Sequence, residues 1–250
     1  MRTLLTLYAK ELRSYFLSPF GWIVLAFTAI MQGVSLSTAM KILQDTPIAD
    51  SLVYIVFHTP IFWFYFLFIF PLITMRLFAE EERSGTLETL LTAPVRTSQV
   101  VFSKYFAALS FYVILWIPAF VHFQLFSTLT NIPTPFTNGS LLGAFLIIFL
   151  MGVFYTAVGV LASSLTSSQI IAGIITICML VIHYFLGFVT VIWGETSEAV
   201  GFFHYISCQE HLHFFAKGLI DSRPIVYNLS MAAIVLFLTH HIVDYRRWKR

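Results

Sequence analysis

The chain has 250 residues, 58% of them hydrophobic and only 10% charged, with a formal net charge of +2 and a mean hydropathy of +0.85. A soluble domain carries about 25% charged residues, so the composition excludes one and describes a polytopic membrane protein. A charge balance this even gives no footing for nucleic acid as a partner.

Between Tyr105 and Gly194 there is no Asp, Glu, Lys or Arg at all. At about 20 apolar residues per crossing, the length holds six helical spans and no large soluble domain. The apolar runs are continuous and do not alternate with period two, which argues against a β-barrel. The expected fold is therefore all-α, a single transmembrane unit over residues 1–250.

Residues 2–18 read as a helix lying along the membrane surface. Leu5, Tyr8, Leu12, Tyr15 and Phe16 follow the i, i+3, i+4 rhythm, with Thr6, Lys10, Arg13 and Ser14 between them. Ser18-Pro19-Phe20-Gly21 breaks this helix, and the first span runs from Trp22 to about Met40. That span is too long for a signal h-region and is expected to stay uncleaved. A short polar loop with Lys41, Asp45, Pro47 and Asp50 follows.

The second span runs from about Leu52 to Met75, with a kink expected at Pro60 and a looser end at Pro71. Residues 77–99 then gather scarce charge: Glu80, Glu81, Glu82, Arg83, Glu88 and Arg96, with Arg76 just before and Lys104 just after. The third span covers about Val101 to Leu129 and contains Pro118. Asn131 to Gly139 is rich in Pro, Asn and Thr and reads as a turn. The fourth span covers Leu141 to Ala162, the uncharged turn 163–168 follows, and the fifth runs from Gln169 to about Trp193.

Residues 194–223 mix Phe202, Phe203, Tyr205, Leu212, Phe214 and Phe215 with His204, Glu210, His211, His213, Lys217 and Asp221. They are too polar to span and too apolar to stand in water, which predicts one or two amphipathic helices dipping into the outer leaflet. The sixth span runs from about Ile225 to Val243.

With the N-terminus inside, the inner segments hold eleven basic residues and the outer ones only Lys41, Lys217 and Arg223. The positive-inside rule therefore places both termini and residues 77–99 in the cytoplasm.

Within residues 77–99, Gly85-Thr86 can open a short helix and Ala93-Pro94 can close it. Leu87, Leu90 and Leu91 share one face of that helix, with Glu88 on the other. Two turns of helix are too small for a domain but suit a groove on a partner; a solvated loop resting its leucines on the membrane fits the same spacing.

Other readings find less support. No Glu-Glu pair has Arg at the spacing of prenyl-protein proteases, and no H-E-x-x-H or G-x-S-x-G site occurs, so an intramembrane enzyme lacks its machinery. A His-Leu-His pair such as His211 and His213 points its rings apart and is a poor chelate. Cys178 and Cys208 lack ligand spacing and are not expected to pair. His58, His122 and His183 lie within spans, where polar groups usually face other protein. Gly152, Thr156, Gly159 and Ser163 form a small-residue stripe on span four suited to close helix contact. The 17% aromatic content suits lipid-facing surface and gives a slight preference to a hydrophobic, membrane-embedded substrate.

The run from Met75 to Arg96, MRLFAEEERSGTLETLLTAPVR, closely resembles the first cytoplasmic loop of ABC-2 type transporter permeases. That family shows an Arg, paired glutamates, Gly-Thr, two leucines and a proline in this order. Ala93 stands where the family often has Ser or Thr. The segment 206–223, with Ser207, Glu210, His211, Phe215, Gly218 and Asp221 in register, is similar to the outer loop of the GldF-like branch, named for bacterial gliding motility. That branch also ends its last span in an Arg-Arg-Trp tail, as here at Arg246, Arg247 and Trp248.

The resemblance implies a six-span half-transporter in the inner membrane that pairs with a second permease, identical or paralogous, and is driven by an ATP-binding subunit. ATP and Mg would sit on that subunit, since the chain has no GxxxxGK sequence and no cofactor of its own is expected. Glu80, Glu81, Glu82, Arg83 and Gly85 would then form the inner rim. Thr86, Leu87, Glu88, Leu90 and Leu91, closed by Pro94, would form the coupling helix seated in the ATPase. Glu210, His211, Gly218 and Asp221 would mark the outer loop. The alternative within the same family is a non-transporting module that passes ATPase-driven motion to a subunit with a periplasmic domain.

Overall fold

The structure, a computed structural model, describes residues 2–45, 51–92, 94–129, 136–189 and 198–248. Among these residues all regular structure is helical. Helix α1 spans Arg2–Leu17, α2 Pro19–Asp45, α3 Leu52–His58, α4 Pro60–Thr74, α5 Ala79–Arg83, α6 Thr86–Thr92 and α7 Thr97–Leu115. The chain continues with α8 Ile117–Leu129, α9 Asn138–Leu165, α10 Gln169–Leu186, α11 Glu198–Ile206, α12 Cys208–Ala216 and α13 Ser222–Trp248. Among the described residues six stretches are long and apolar enough to cross a membrane: Pro19–Gln44, Pro60–Arg83, Thr97–Leu129, Asn138–Leu165, Gln169–Leu186 and Ser222–Arg246. The protein is an all-α polytopic membrane protein, as its composition predicts.

Prolines divide two of the spans more sharply than a kink. Thr59, in extended backbone with its hydroxyl accepting from Phe62 N, separates α3 from α4. Pro60 therefore starts a helix rather than bending one. Trp116 likewise separates α7 from α8, two residues before Pro118. The polar loop at 46–50, the first part of the 131–139 turn, and the expected end of span five beyond 189 lie outside the described residues.

In lipid, helices associate by close packing and hydrogen bonds rather than by apolar burial, because lipid tails are as apolar as leucine. Helix α9 is the post around which this happens. Of its most apolar window 83% is buried within the chain, against 28%, 22% and 28% for spans one, five and six. Its stripe of small residues lets neighbours approach to contact: a Cβ on Gly152 would lie 2.0 Å from the Tyr112 ring, and one on Gly159 2.1 Å from Thr74 Oγ1. The Tyr112 hydroxyl donates to Ile148 O (2.8 Å) and the Tyr105 hydroxyl to Val153 O (3.1 Å), tying α7 to the same post.

At one end of the bundle α12 lies across α9. Gly143 brings its backbone so near that a Cβ would stand 2.3 Å from Phe215 O. Cys208, Leu212, Phe215 and Ala216 are buried beneath α12, while Phe214, Leu219 and Ile220 face outward. The opposite end, called here the charged end, carries α1, α5, α6 and the far end of α13.

Candidate functional site

Helix α1 packs on α7 through the stripe Tyr8, Glu11, Tyr15. Tyr8 Oη lies 2.9 Å from Ser110 Oγ, Tyr15 stacks on Phe111 with centroids 4.5 Å apart, and the Tyr15 hydroxyl donates to Ile73 O at 2.6 Å. Burial, with the Glu11 charge nearby, pushes the Tyr15 phenol well above its ordinary value. Glu11 thus sits on the inward face of α1, where a carboxylate needs a partner.

Its partner is Lys104, only 1% exposed, whose Nζ lies 3.0 Å from Glu11 Oε1 and 2.9 Å from Glu81 Oε1. Lys10 closes the group from the solvent side, 3.6 Å from Glu11 and 3.4 Å from Glu81. Two ammonium groups and two carboxylates therefore sum to zero in one knot that joins α1, α5 and α7. Burial alone would lower the Lys10 pKa, but Glu11 and Glu81 outweigh it and raise it above the ordinary value. Lys104 Nζ also lies 5.4 Å from the centre of the Phe78 ring, within cation–π range.

The neighbouring carboxylates go elsewhere. Glu80 takes a two-point bond from Arg76, Nε to Oε2 at 2.9 Å and Nη2 to Oε1 at 3.3 Å. Arg76 also lies over the Phe20 ring. Glu82 pairs with Arg246 near the end of α13, and Thr97 Oγ1 donates to Asp244 on the same helix at 2.8 Å. Both ends of the segment 77–99 are thus held by the last span. Span four holds it too: the Ser163 hydroxyl accepts from Phe78 N (3.0 Å) and Ala79 N (3.2 Å) and donates to Met75 O (3.2 Å). One side chain of α9 thereby satisfies the backbone groups left open between α4 and α5.

Arg83 and Ser84 are exposed, and Gly85 takes a φ of +72°, the left-handed turn that favours glycine, with open space around its Cα. This turn separates α5 from α6. Helix α6 covers Thr86–Thr92, the range that Gly85-Thr86 and Ala93-Pro94 predict from sequence. Its leucine face, which the sequence offers to a partner, is spent partly on the chain's own body. Leu87 is 5% exposed in the core and Leu90 is half-buried against it. A seven-residue helix cannot hold itself in water, so it keeps its place by this anchor. Thr86, Glu88, Thr89 and Thr92 face outward, and Pro94 is exposed just beyond. Ala93 and the Leu91 side chain lie outside the described part.

The four outer-loop residues have backbone roles. Ser207 caps α12 by accepting from Glu210 N (3.3 Å), and the Glu210 carboxylate lies 3.6 Å from His204 Nδ1. His211 is buried, its Nε2 at 2.9 Å from Tyr205 O and so carrying the proton; burial holds its pKa below the ordinary value. Gly218, with φ +81°, ends α12, and Asp221 accepts from Arg223 N (3.1 Å) to start α13. The pattern Ser207, Glu210, Gly218, Asp221 therefore spells cap, first turn, stop and cap.

Sequence reasoning left Glu11, Lys104, Ser163, Asp244 and Arg246 without roles in this site. One local signal was available: Glu11 falls on the apolar rhythm of α1 between Tyr8 and Tyr15.

The assembled geometry fastens one exposed segment to four separate parts of a membrane bundle. Comparison with curated protein sequences returned no match. Residues 28–208, well over half of the chain, match the family described as ABC-2 family transporter protein. The chain therefore belongs to the ABC-2 family, as a membrane subunit of the transporters that work with an ABC ATP-binding subunit.

Proposed function

We propose that the chain is one of two permease subunits of an ATP-driven exporter of the bacterial inner membrane. Residues 77–99 and both termini face the cytoplasm, and the permease belongs to the GldF-like branch. The partner ATPase binds ATP and Mg and closes on hydrolysable nucleotide; this chain's residues receive the movement. Thr86, Glu88, Thr89, Thr92 and the open half of Leu90 form the contact surface on α6, with Leu87 as its root. Movement of α6 passes through α5 into α1, α7, α9 and α13 together, a rigid-body response of the bundle to one pushed end. The ordered run Ser207, Glu210, His211, Phe215, Gly218, Asp221 supports the branch.

The observation that carries the reading is that the exposed segment is tied to four helices, α1 through Lys10, α7 through Lys104, α9 through Ser163 and α13 through Asp244 and Arg246. A loop with no force to carry has no use for such fastening.

The test is co-purification of the ATP-binding subunit from membranes. Thr89→Arg and Leu90→Asp are expected to abolish its retention while the permease still inserts and melts as wild type. Full retention and full ATP-dependent activity in both variants would remove α6 from the contact.

A further inference from the structure

Spans two and three break within one helical turn of the same level. Pro60 has no N–H for Val56 O, and Pro118 has none for Ile114 O, so each break leaves the backbone ladder open. Span one puts a side-chain donor at each break. The Ser35 and Thr59 hydroxyls, 3.1 Å apart, each lie 3.0 Å from Val56 O. Gln32 Nε2 donates to Leu115 O at 2.9 Å, beside the second break. Gln32 and Ser35 are three residues apart on α2, roughly 4.5 Å along the axis.

A small cavity lies in this layer, lined by Gln32, Tyr65 and His122 with Leu36, Phe57 and Phe123. Gln32 is 4% exposed, yet its Oε1 has no hydrogen-bond partner, and His122 Nδ1 is buried in the same condition. The cavity offers about 10 Å³ to the centre of a water, the room of one molecule. Two buried, unpaired polar atoms on residues that line a space of this size are the conditions under which a water is retained rather than excluded.

We propose that Gln32 and His122 hold a water between them, and that this wet layer is the joint on which the far segments of spans two and three, α3 and α8, move against α4 and α7. The water donates a hydrogen bond to Gln32 Oε1 and completes the bonding of His122 Nδ1. Because the joint's carbonyls are held by side chains of span one rather than by a continuous ladder, they can exchange partners without stranding a buried group. The inference needs no partner subunit and stands independently of the export reading.

The test uses the full chain in lipid bilayers, ¹⁵N-labelled at histidine. Water-edited solid-state NMR is expected to transfer magnetisation from water to the His122 ring, identified by its loss in His122→Phe. In Gln32→Met that transfer should fall at least several-fold. Hydrogen exchange should be faster across residues 57–62 and 115–120 than across 66–70 and 105–110. A dry His122 in the wild type would overturn the water, and unchanged transfer in Gln32→Met would overturn Gln32 as its holder. Exchange at both breaks as slow as in the flanking helix would overturn the joint.

Discussion

Replacing Lys104 by Met keeps the length and apolar stem of the side chain and deletes only its charge. Glu11 and Glu81, whose side chains are 10% and 16% exposed, then lose the ammonium at 3.0 and 2.9 Å. Removing one partner of a buried pair costs about 3–5 kcal/mol, because the remaining charge is stranded in a poor solvent. Lys10 still reaches both carboxylates, but its side chain is 61% exposed, and exposed pairs recover at most about 1 kcal/mol. The expected loss is therefore about 2–4 kcal/mol. Unfolding in mixed micelles with increasing SDS, followed by tryptophan fluorescence, measures it. Adding Glu11→Gln removes one of the two stranded charges and should restore at least about 1 kcal/mol, so the two substitutions are not additive. A Lys104→Met protein within about 0.5 kcal/mol of wild type, the range of an ordinary surface change, would show that the knot holds nothing.

Gly143→Ala sets a methyl group against Phe215 O, a backbone atom that no rotamer change can move; it should release α12 from α9 and raise hydrogen exchange over residues 208–216, with the charged end unaffected. His183→Phe leaves the hydroxyls of Tyr155 and Tyr227, now 2.8 and 2.9 Å from the two ring nitrogens, without their shared partner. At about 1–3 kcal/mol per unsatisfied buried group, thermal melts should drop clearly, and no drop would mean that these hydroxyls find other acceptors. His211, held neutral by burial with its pKa lowered, should make stability pH-dependent. Its contribution is complete above the unfolded value of about 6.5 and is lost as pH falls through the folded value, because the unfolded chain takes up a proton first. Melts between pH 7.5 and 5 should show this acid loss, and His211→Gln should flatten it.

Much of the architecture was legible because lipid imposes a simple rule: apolar stretches of sufficient length become helices. Leu141 to Ala162 and Gln169 onward announce spans four and five in this way, and the i, i+3, i+4 rhythm of Leu5, Tyr8 and Leu12 announces α1. The limits of α6 were readable from Gly85 and Pro94, since a left-handed turn and a missing N–H act locally. What local pattern cannot carry is pairing across distance. Glu82 and Arg246 meet over 164 residues of chain, and nothing near either one signals the other. Pro60 read as a kink because a proline in sequence does not reveal whether a neighbouring helix will cap the freed carbonyl. Ser35 does so here for Val56 O, and Gln32 holds Leu115 O beside the break at Pro118. Leu87 read as available to a partner because periodicity defines a face but not which body will cover it.

The clasp between the exposed segment and the last helix has a bearing on how the protein is made. Thr97 and Glu82 leave the ribosome long before their partners Asp244 and Arg246, which follow 147 and 164 residues later. Until α13 has been inserted, α5 and α6 lack two of their fastenings. A nascent or truncated polypeptide thus carries this segment slack, and only one that has delivered its final crossing holds it firm.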